Sequence, residues 1–325
     1  YEDGYKMLTT VPDSQRYLLV PEGQPVPQGL DEDVSILQEP LQNIYLVASG
    51  AMDMFASLDA VDQIRFSGQK QENWYIQTAK DAMAAGDMIY AGKYSKPDYE
   101  LLVSEGCDLA IENRMITHSP EVVEMLESFD IPVMIEYSSY EHHPLGKVEW
   151  VKFFGALTGK EAKAEEAFAE QTEILEEVES GEKTGKTIAF FYVTSNGLIQ
   201  VRQSTDYIPK LIELAGGRYI FENLEDSGSG RSTLNMQVED FYAGAKDADI
   251  LIYNSSIDGG VTTVDELIGK CNILKDFKAV QEGQVYCTTN DMYQQSMAIG
   301  YLLQDMHTVL TDDDTAKLRY LFLLQ

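Results

Sequence analysis

Residues 160–180 constrain the fold more than any other stretch of this chain. They are built mostly from Ala, Glu, Lys and Leu and contain neither glycine nor proline. Those residue types lose little on entering a helix, so the stretch predicts one unbroken helix, about 31 Å long at 1.5 Å per residue. Its glutamates form a solvated face. On either side, short apolar runs alternate with amphipathic stretches. Upstream, 44–48, 108–111 and 131–135 read as buried strands. Residues 52–58 and 121–128 read as helices, the latter with Ser119 as N-cap and Pro120 at its first position. Downstream, 187–192, 249–253 and 285–287 read as strands, and 206–214, 238–246 and 295–310 as helices. Strands alternating with helices specify an α/β fold, with two lobes built on mainly parallel central sheets and joined by a single long α-helix. The expected boundaries are an N-terminal lobe at 41–155, a linking helix at 156–183 and a C-terminal lobe at 184–325. Residues 1–40, rich in proline, glycine and acids, read as an extended lead-in or tether with little core. A helical spine permits small rocking rather than a wide hinge.

Charge excludes one class of function. The 325 residues carry 24 Lys+Arg against 54 Asp+Glu, a net charge of −30. No nucleic-acid partner is expected, because phosphate contacts need clustered cations. No apolar run is long enough to span a membrane. The start at Tyr1 is not a signal peptide, and the trimmed start of an exported chain has the same appearance. Cys107, Cys271 and Cys287 are widely spaced, form no C-x-x-C pair and read as buried single thiols rather than a disulfide framework or zinc site. The chain has no Gly-x-Ser-x-Gly, no His-Glu-x-x-His, no phosphate-binding Gly-rich loop and no dinucleotide fingerprint.

Four groups of segments, in order, carry a family resemblance. They are Leu46-Val47-Ala48-Ser49-Gly50 with Leu58-Asp59-Ala60-Val61-Asp62-Gln63-Ile64; Lys96-Pro97-Asp98-Tyr99-Glu100-Leu101-Leu102 with Cys107-Asp108-Leu109-Ala110-Ile111; Asp130-Ile131-Pro132-Val133 with Gly155-Ala156-Leu157-Thr158-Gly159-Lys160; and Leu214-Ala215-Gly216-Gly217, Ala248-Asp249-Ile250-Leu251-Ile252 and Gly283-Gln284-Val285-Tyr286. From about Asn43 to the end the chain resembles the substrate-binding proteins of ABC importers for iron–siderophores, haem and cobalamin. Cys107 stands where that family usually has proline, and Asp130 where it has glycine.

The resemblance implies an extracytoplasmic, lipid-anchored solute-binding protein. It would deliver an iron chelate (siderophore or haem) or a corrinoid to an ABC permease. It would be a monomer, not an enzyme, with no cofactor of its own. It also implies that Glu100 and Glu239, one on each lobe, dock on permease arginines. A cleft enzyme of chelatase-like architecture and a stand-alone metal or haem chaperone are the competing readings.

In open α/β sheets ligands bind beyond the carboxyl ends of the strands, and facing lobes would hold the ligand in a cleft. The ligand-binding candidates are therefore Ser49, Met52, Arg114, Met115, Tyr137 and Tyr140 in the first lobe. In the second they are Tyr192, Asn254, Met292 and Tyr293, with Arg202 and Arg231 in neighbouring segments. Arg114 suits an anionic or catecholate ligand; an ion pair with Glu112 or Glu136 is its alternative. The methionines suit a flat macrocycle or serve as core filling. The tyrosines suit aromatic or macrocyclic ligands. His118, His142, His143 and Glu141 are the conceivable metal ligands. Pro144 reads as a helix start, which makes the His142–His143 pair a capping lead-in, and no metal site is assigned.

Overall fold

The computed structural model describes all residues except 1–3, 12, 225–231, 256–258 and 314. The chain forms two compact units, residues 1–139 with 149–168 and residues 140–148 with 169–325.

The first unit begins with β1 (Lys6–Thr9), β2 (Arg16–Val20) and β3 (Val34–Gln38). This corrects the expectation of an extended tether at 1–40. The apolar run Tyr17-Leu18-Leu19-Val20 is buried. It pairs antiparallel with β1 and parallel with β3, so its backbone and side chains are both satisfied. Tyr17 Oη donates to the Val133 carbonyl at 3.2 Å. Lys6 Nζ reaches the Ala156 carbonyl at 3.0 Å and Glu161 at 2.9 Å. The proline and glycine content belongs to the loops between strands.

The α/β part of this unit runs β4 (Ile44–Leu46), α1 (Ala51–Ser57), β5 (Ile64–Ser67), α2 (Gln77–Ala85), β6 (Ile89–Tyr90), a hairpin of β7 (Gly92–Lys93) and β8 (Lys96–Pro97), α3 (Tyr99–Ser104), β9 (Leu109–Asn113), α4 (Pro120–Ser128) and β10 (Val133–Glu136). Among the described residues the sheet has the order β10-β9-β4-β5-β6, with every pair parallel. Such a sheet is covered on both faces, and its strands are near-continuous apolar runs. Asp98 caps α3 by accepting from Leu101 N at 3.1 Å. Ser119 does occupy the N-cap of α4 before Pro120, but its side chain makes no capping bond.

Helix α5 (Pro144–Thr158) and the long α6 (Glu161–Glu179) follow. The helix expected at 160–180 is thus present, and its residues are shared between the two units.

The second unit contains β11 (Thr187–Val193), β12 (Ile199–Arg202), α7 (Tyr207–Leu214), β13 (Arg218–Tyr219), β14 (Thr233–Met236), α8 (Val238–Ala245), β15 (Ile250–Tyr253), α9 (Val264–Lys270), α10 (Lys278–Gln281), β16 (Val285–Thr288), α11 (Ile299–Thr311) and β17 (Leu321–Leu323). Among the described residues the sheet order is β14-β12-β11-β15-β16-β17, with β13 also on β11. The centre is parallel and the outer strands β12, β14 and β17 are antiparallel. Phe191, Phe241, Tyr253 and Phe277 dominate the core. All three cysteines are free and buried, as expected. No helix of the described residues is long and apolar enough to cross a membrane.

One buried carboxylate ties the C-terminal strand to α11. Asp305 is 3% exposed and accepts from the backbone N–H groups of Arg319, Tyr320 and Leu321 at 2.9, 2.6 and 3.0 Å. Asp305→Ala leaves those donors without that acceptor, and buried donors without partners are costly. The expected loss is roughly 2–4 kcal/mol. It is measured as a lowered denaturant midpoint with an unchanged slope.

Candidate functional site

The carboxyl end of the first sheet is shaped by two strand exits. At the end of β9 the Asn113 side chain accepts from Met115 N at 2.8 Å and starts the 3₁₀ turn Arg114–His118. Arg114 is half-buried there and Met115 is exposed. At the end of β10, Glu136 Oε1 accepts from Ser138 N at 2.5 Å, and the half-buried Tyr137 lies between them. Its ring sits 6.5 Å from that of Trp150. Ser49 is half-buried in the turn from β4 to α1. Tyr140 closes the 3₁₀ turn Ser138–Tyr140 and is the first residue of the second unit.

A further residue belongs to this face. Tyr137 Oη donates to Asp13 Oδ2 at 2.9 Å. Asp13 lies on the β1–β2 turn, where it also accepts from the Thr10 hydroxyl at 2.5 Å and Gln15 N at 3.3 Å. Partial burial and then the bond to Asp13 push the Tyr137 phenol up to about 12, while the nearby Arg114 charge acts the other way. Sequence reasoning missed Asp13 because the segment carrying it read as a tether. The only signal was the apolar run 17–20 just after it.

Met52 does not belong to the face. It is fully buried in α1, because the inward side of that helix packs into the lobe core. Glu112 is not the partner of Arg114. It is 0% exposed, and neither of its oxygens has a hydrogen-bond partner. It lies on β9 opposite Ile135, near enough to Tyr45 and Tyr99 for its charge to act on both phenols. Burial pushes its carboxyl up to about 8.

In the second unit three predicted residues come together. Tyr293 Oη accepts from Asn254 Nδ2 at 2.8 Å and from Arg202 Nη2. Asn254 follows β15, Arg202 ends β12 and Tyr293 lies beyond β16. The Arg202 guanidinium also bonds Asp206 at 3.4 Å. It lies over the rings of Phe190 and Tyr293 at 5.8 and 5.3 Å. Tyr219 Oη bonds both backbone groups of Arg202. Arg202 is therefore a locked, largely buried cation, and the half-buried Tyr293 is the presented group. Tyr192 lies within β11 rather than after it, with its ring 6.2 Å from Tyr253. Met292 is 6% exposed and lines a small internal cavity with Lys147, Tyr207 and Tyr320, which corrects its assignment to the face. Arg231 lies outside the described residues.

His142 and His143 act in local structure. His143 Nδ1 accepts from Leu145 N at 3.2 Å at the start of α5, as its capping role required. His142 Nδ1 lies 2.6 Å from the Thr205 carbonyl. Among the described residues no three His, Cys, Asp or Glu side chains converge as a metal site. Glu100 and Glu239 are exposed, each in the first turn of a helix, α3 and α8. Two surface grooves lie away from the strand exits. One of about 740 Å³ sits at the amino ends of β4 and β5, beside Asn43, Ile64 and Arg65. The other, of about 470 Å³, lies along α7 beside His142, Lys210 and Arg218. Its Lys210 and Arg218 are paired to Glu213 and Glu222.

Known proteins share this architecture. The petrobactin-binding protein of Bacillus subtilis superposes with a TM-score of 0.68 at 13% identity, covering 94% of this chain and 98% of that one. The periplasmic haem-binding protein of Vibrio cholerae gives 0.65 at 14% identity, covering 82% and 98%. These likenesses establish the fold. An uncharacterized lipoprotein of Methanocaldococcus jannaschii is 25% identical over 314 residues, covering 91% of this chain and 72% of that one. An uncharacterized protein of the same organism is 28% identical over 267 residues, covering 78% and 77%. The sequence profile of the family described as periplasmic binding protein matches residues 48–292. That match covers most of the α/β parts of both units, taking in Arg114, Tyr137, Arg202 and Asn254, and the chain belongs to the periplasmic binding protein family.

Proposed function

We propose that this chain is the extracytoplasmic, lipid-anchored solute-binding component of an ABC importer, and that it carries an iron chelate without chemical turnover. The observation that carries the reading is the pair of polar clusters at the strand exits, the bonded Tyr137–Asp13 pair with Arg114 on the neighbouring strand exit in one unit and Asn254–Tyr293 in the other, within a chain of the periplasmic binding protein family. The two α/β units are the ligand-binding lobes. Ser49, Met115, Tyr140 and Tyr192 contribute to the same faces. Relatives that are lipoproteins support the anchor, and fold neighbours that bind petrobactin or haem support an iron-bearing ligand. A corrinoid is the alternative ligand. Glu100 and Glu239 seat the loaded protein, a monomer, on the permease. Helix first turns present carboxylates at an exposed position that permease cations can reach.

The test is a titration with a ferric siderophore, haemin and cobalamin, followed by tryptophan and tyrosine quenching. One should bind with 1:1 stoichiometry at about micromolar affinity or tighter and be recovered chemically unchanged. Tyr293→Phe should weaken it roughly tenfold. Absence of binding at about 100 µM by all three would remove the iron and corrinoid assignment.

A further inference from the structure

We propose that the outer surface of α3 and α4 in the first unit is a contact surface for the permease, and that its apolar centre, formed by Tyr99, Val103, Met125 and Phe129, holds that partner more strongly than Glu100 does. The inference rests on the importer reading above.

Helix periodicity assembles the patch. On α3, Tyr99 and Val103 stand one turn apart, while Leu102 turns into the core. On α4, Val122 and Leu126 turn into the same core. That leaves Glu121, Met125 and the C-cap residue Phe129 in one row at four-residue spacing on the flank of the helix. Both ends of the row reach Tyr99. The Phe129 ring lies 6.1 Å from the Tyr99 ring, and the Glu121 charge acts on the Tyr99 phenol. Met125 stands between them, so the two helices share one patch. Val103, Met125 and Phe129 are 48%, 44% and 43% exposed. Large apolar side chains exposed singly are ordinary, but a group of them inside a polar rim marks a contact surface. Methionine and aromatic residues are the types enriched at the centres of such surfaces.

Charge says what covers the patch. α3 and α4 carry Glu100, Glu121, Glu124 and Glu127, all exposed, and neither Lys nor Arg. A second copy of this chain would bring the same acidic rim and its own net charge of −30 to the contact, and an anionic membrane is repelled in the same way. The partner that fits is a protein surface with an apolar protrusion among Arg or Lys side chains. In the importer reading Glu100 meets permease cations, and Val103 follows Glu100 at the next turn of the same short helix, so the patch continues that contact. Apolar area desolvated at the centre supplies the affinity, because exposed ion pairs at the rim contribute little.

The experiment measures binding of the chain to the permease of its importer in lipid nanodiscs, beside empty phosphatidylglycerol nanodiscs and sedimentation of the chain alone. Val103→Ser combined with Met125→Ser should weaken permease binding at least roughly tenfold, at low and high salt alike. Val103→Ser alone should weaken it about threefold, which keeps the test open if the double variant loses stability. Glu100→Gln should weaken it about threefold at low salt and not at about 0.5 M salt. Affinity for the small ligand should not change in any of these variants. Serine variants that bind the permease like wild type, or a larger loss from Glu100→Gln than from the double variant, overturn the inference and leave the importer reading standing. Capture of wild type by empty nanodiscs, or self-association abolished by the serine variants, overturns it by making a lipid surface or a second copy the occupant. A wild-type chain that does not bind the permease at about 100 µM overturns the importer reading together with the inference.

Discussion

Replacing Glu112 with glutamine should stabilise the first unit increasingly as pH rises from about 5 to about 8, and change it little in acid. The carboxyl is fully buried, has no hydrogen-bond partner, and is pushed by burial from 4.5 to about 8. A group whose folded value is raised holds its proton in the native state after the unfolded chain has lost it. Its contribution is full below the unfolded value, falls as pH rises, and is lost once pH passes the folded value. The steepest slope is about 1.4 kcal/mol per pH unit. Glutamine removes the proton and the slope with it, so the variant should gain on the order of 3 kcal/mol over wild type near pH 8. Trp74 and Trp150 are the two tryptophans of the chain, and both lie in the first unit. Tryptophan fluorescence in denaturant therefore reports this unit alone. Parallel pH profiles for wild type and variant would show that the carboxyl is paired in solution.

Arg202→Ala should destabilise the second unit by roughly 3 kcal/mol, the usual cost of stranding one partner of a buried ion pair. Asp206, its side chain only 2% exposed, would be left without its ion-pair partner. It would keep its capping bond from Ile208 N at 3.0 Å. Adding Asp206→Asn should return part of the loss, because the amide still accepts that bond and carries no charge. The transition is followed by circular dichroism, since this unit has no tryptophan. An Arg202→Ala variant as stable as wild type would mean that Arg202 is available to the ligand rather than locked.

Much of the fold was legible in the sequence because its signals were local. The long helix declares itself by composition, and the parallel strands by short apolar runs such as Ile44–Leu46 and Ile250–Tyr253. The first sheet at Lys6–Gln38 was not legible. Its order depends on β2 pairing with both neighbours and on Tyr17 reaching Val133, contacts distant in sequence. The candidate site divided along similar lines. Strand-exit logic placed Asn254, Tyr293, Arg114 and Tyr137 correctly at the carboxyl ends. It could not separate Met52 from Met115, because which side of a short helix faces the core is set by packing. Nor could it foresee that Arg202 is neutralised by Asp206 four residues on, since many arginines at such spacing point to solvent.

The most direct test of the account is hydrogen exchange with and without a saturating ferric chelate. The account predicts protection at residues 113–118 and 137–140 in the first unit and at 253–254 and 290–293 in the second. Protection confined to the grooves beside Arg65 or beside Lys210 and Arg218, with those strand exits unchanged, would contradict it.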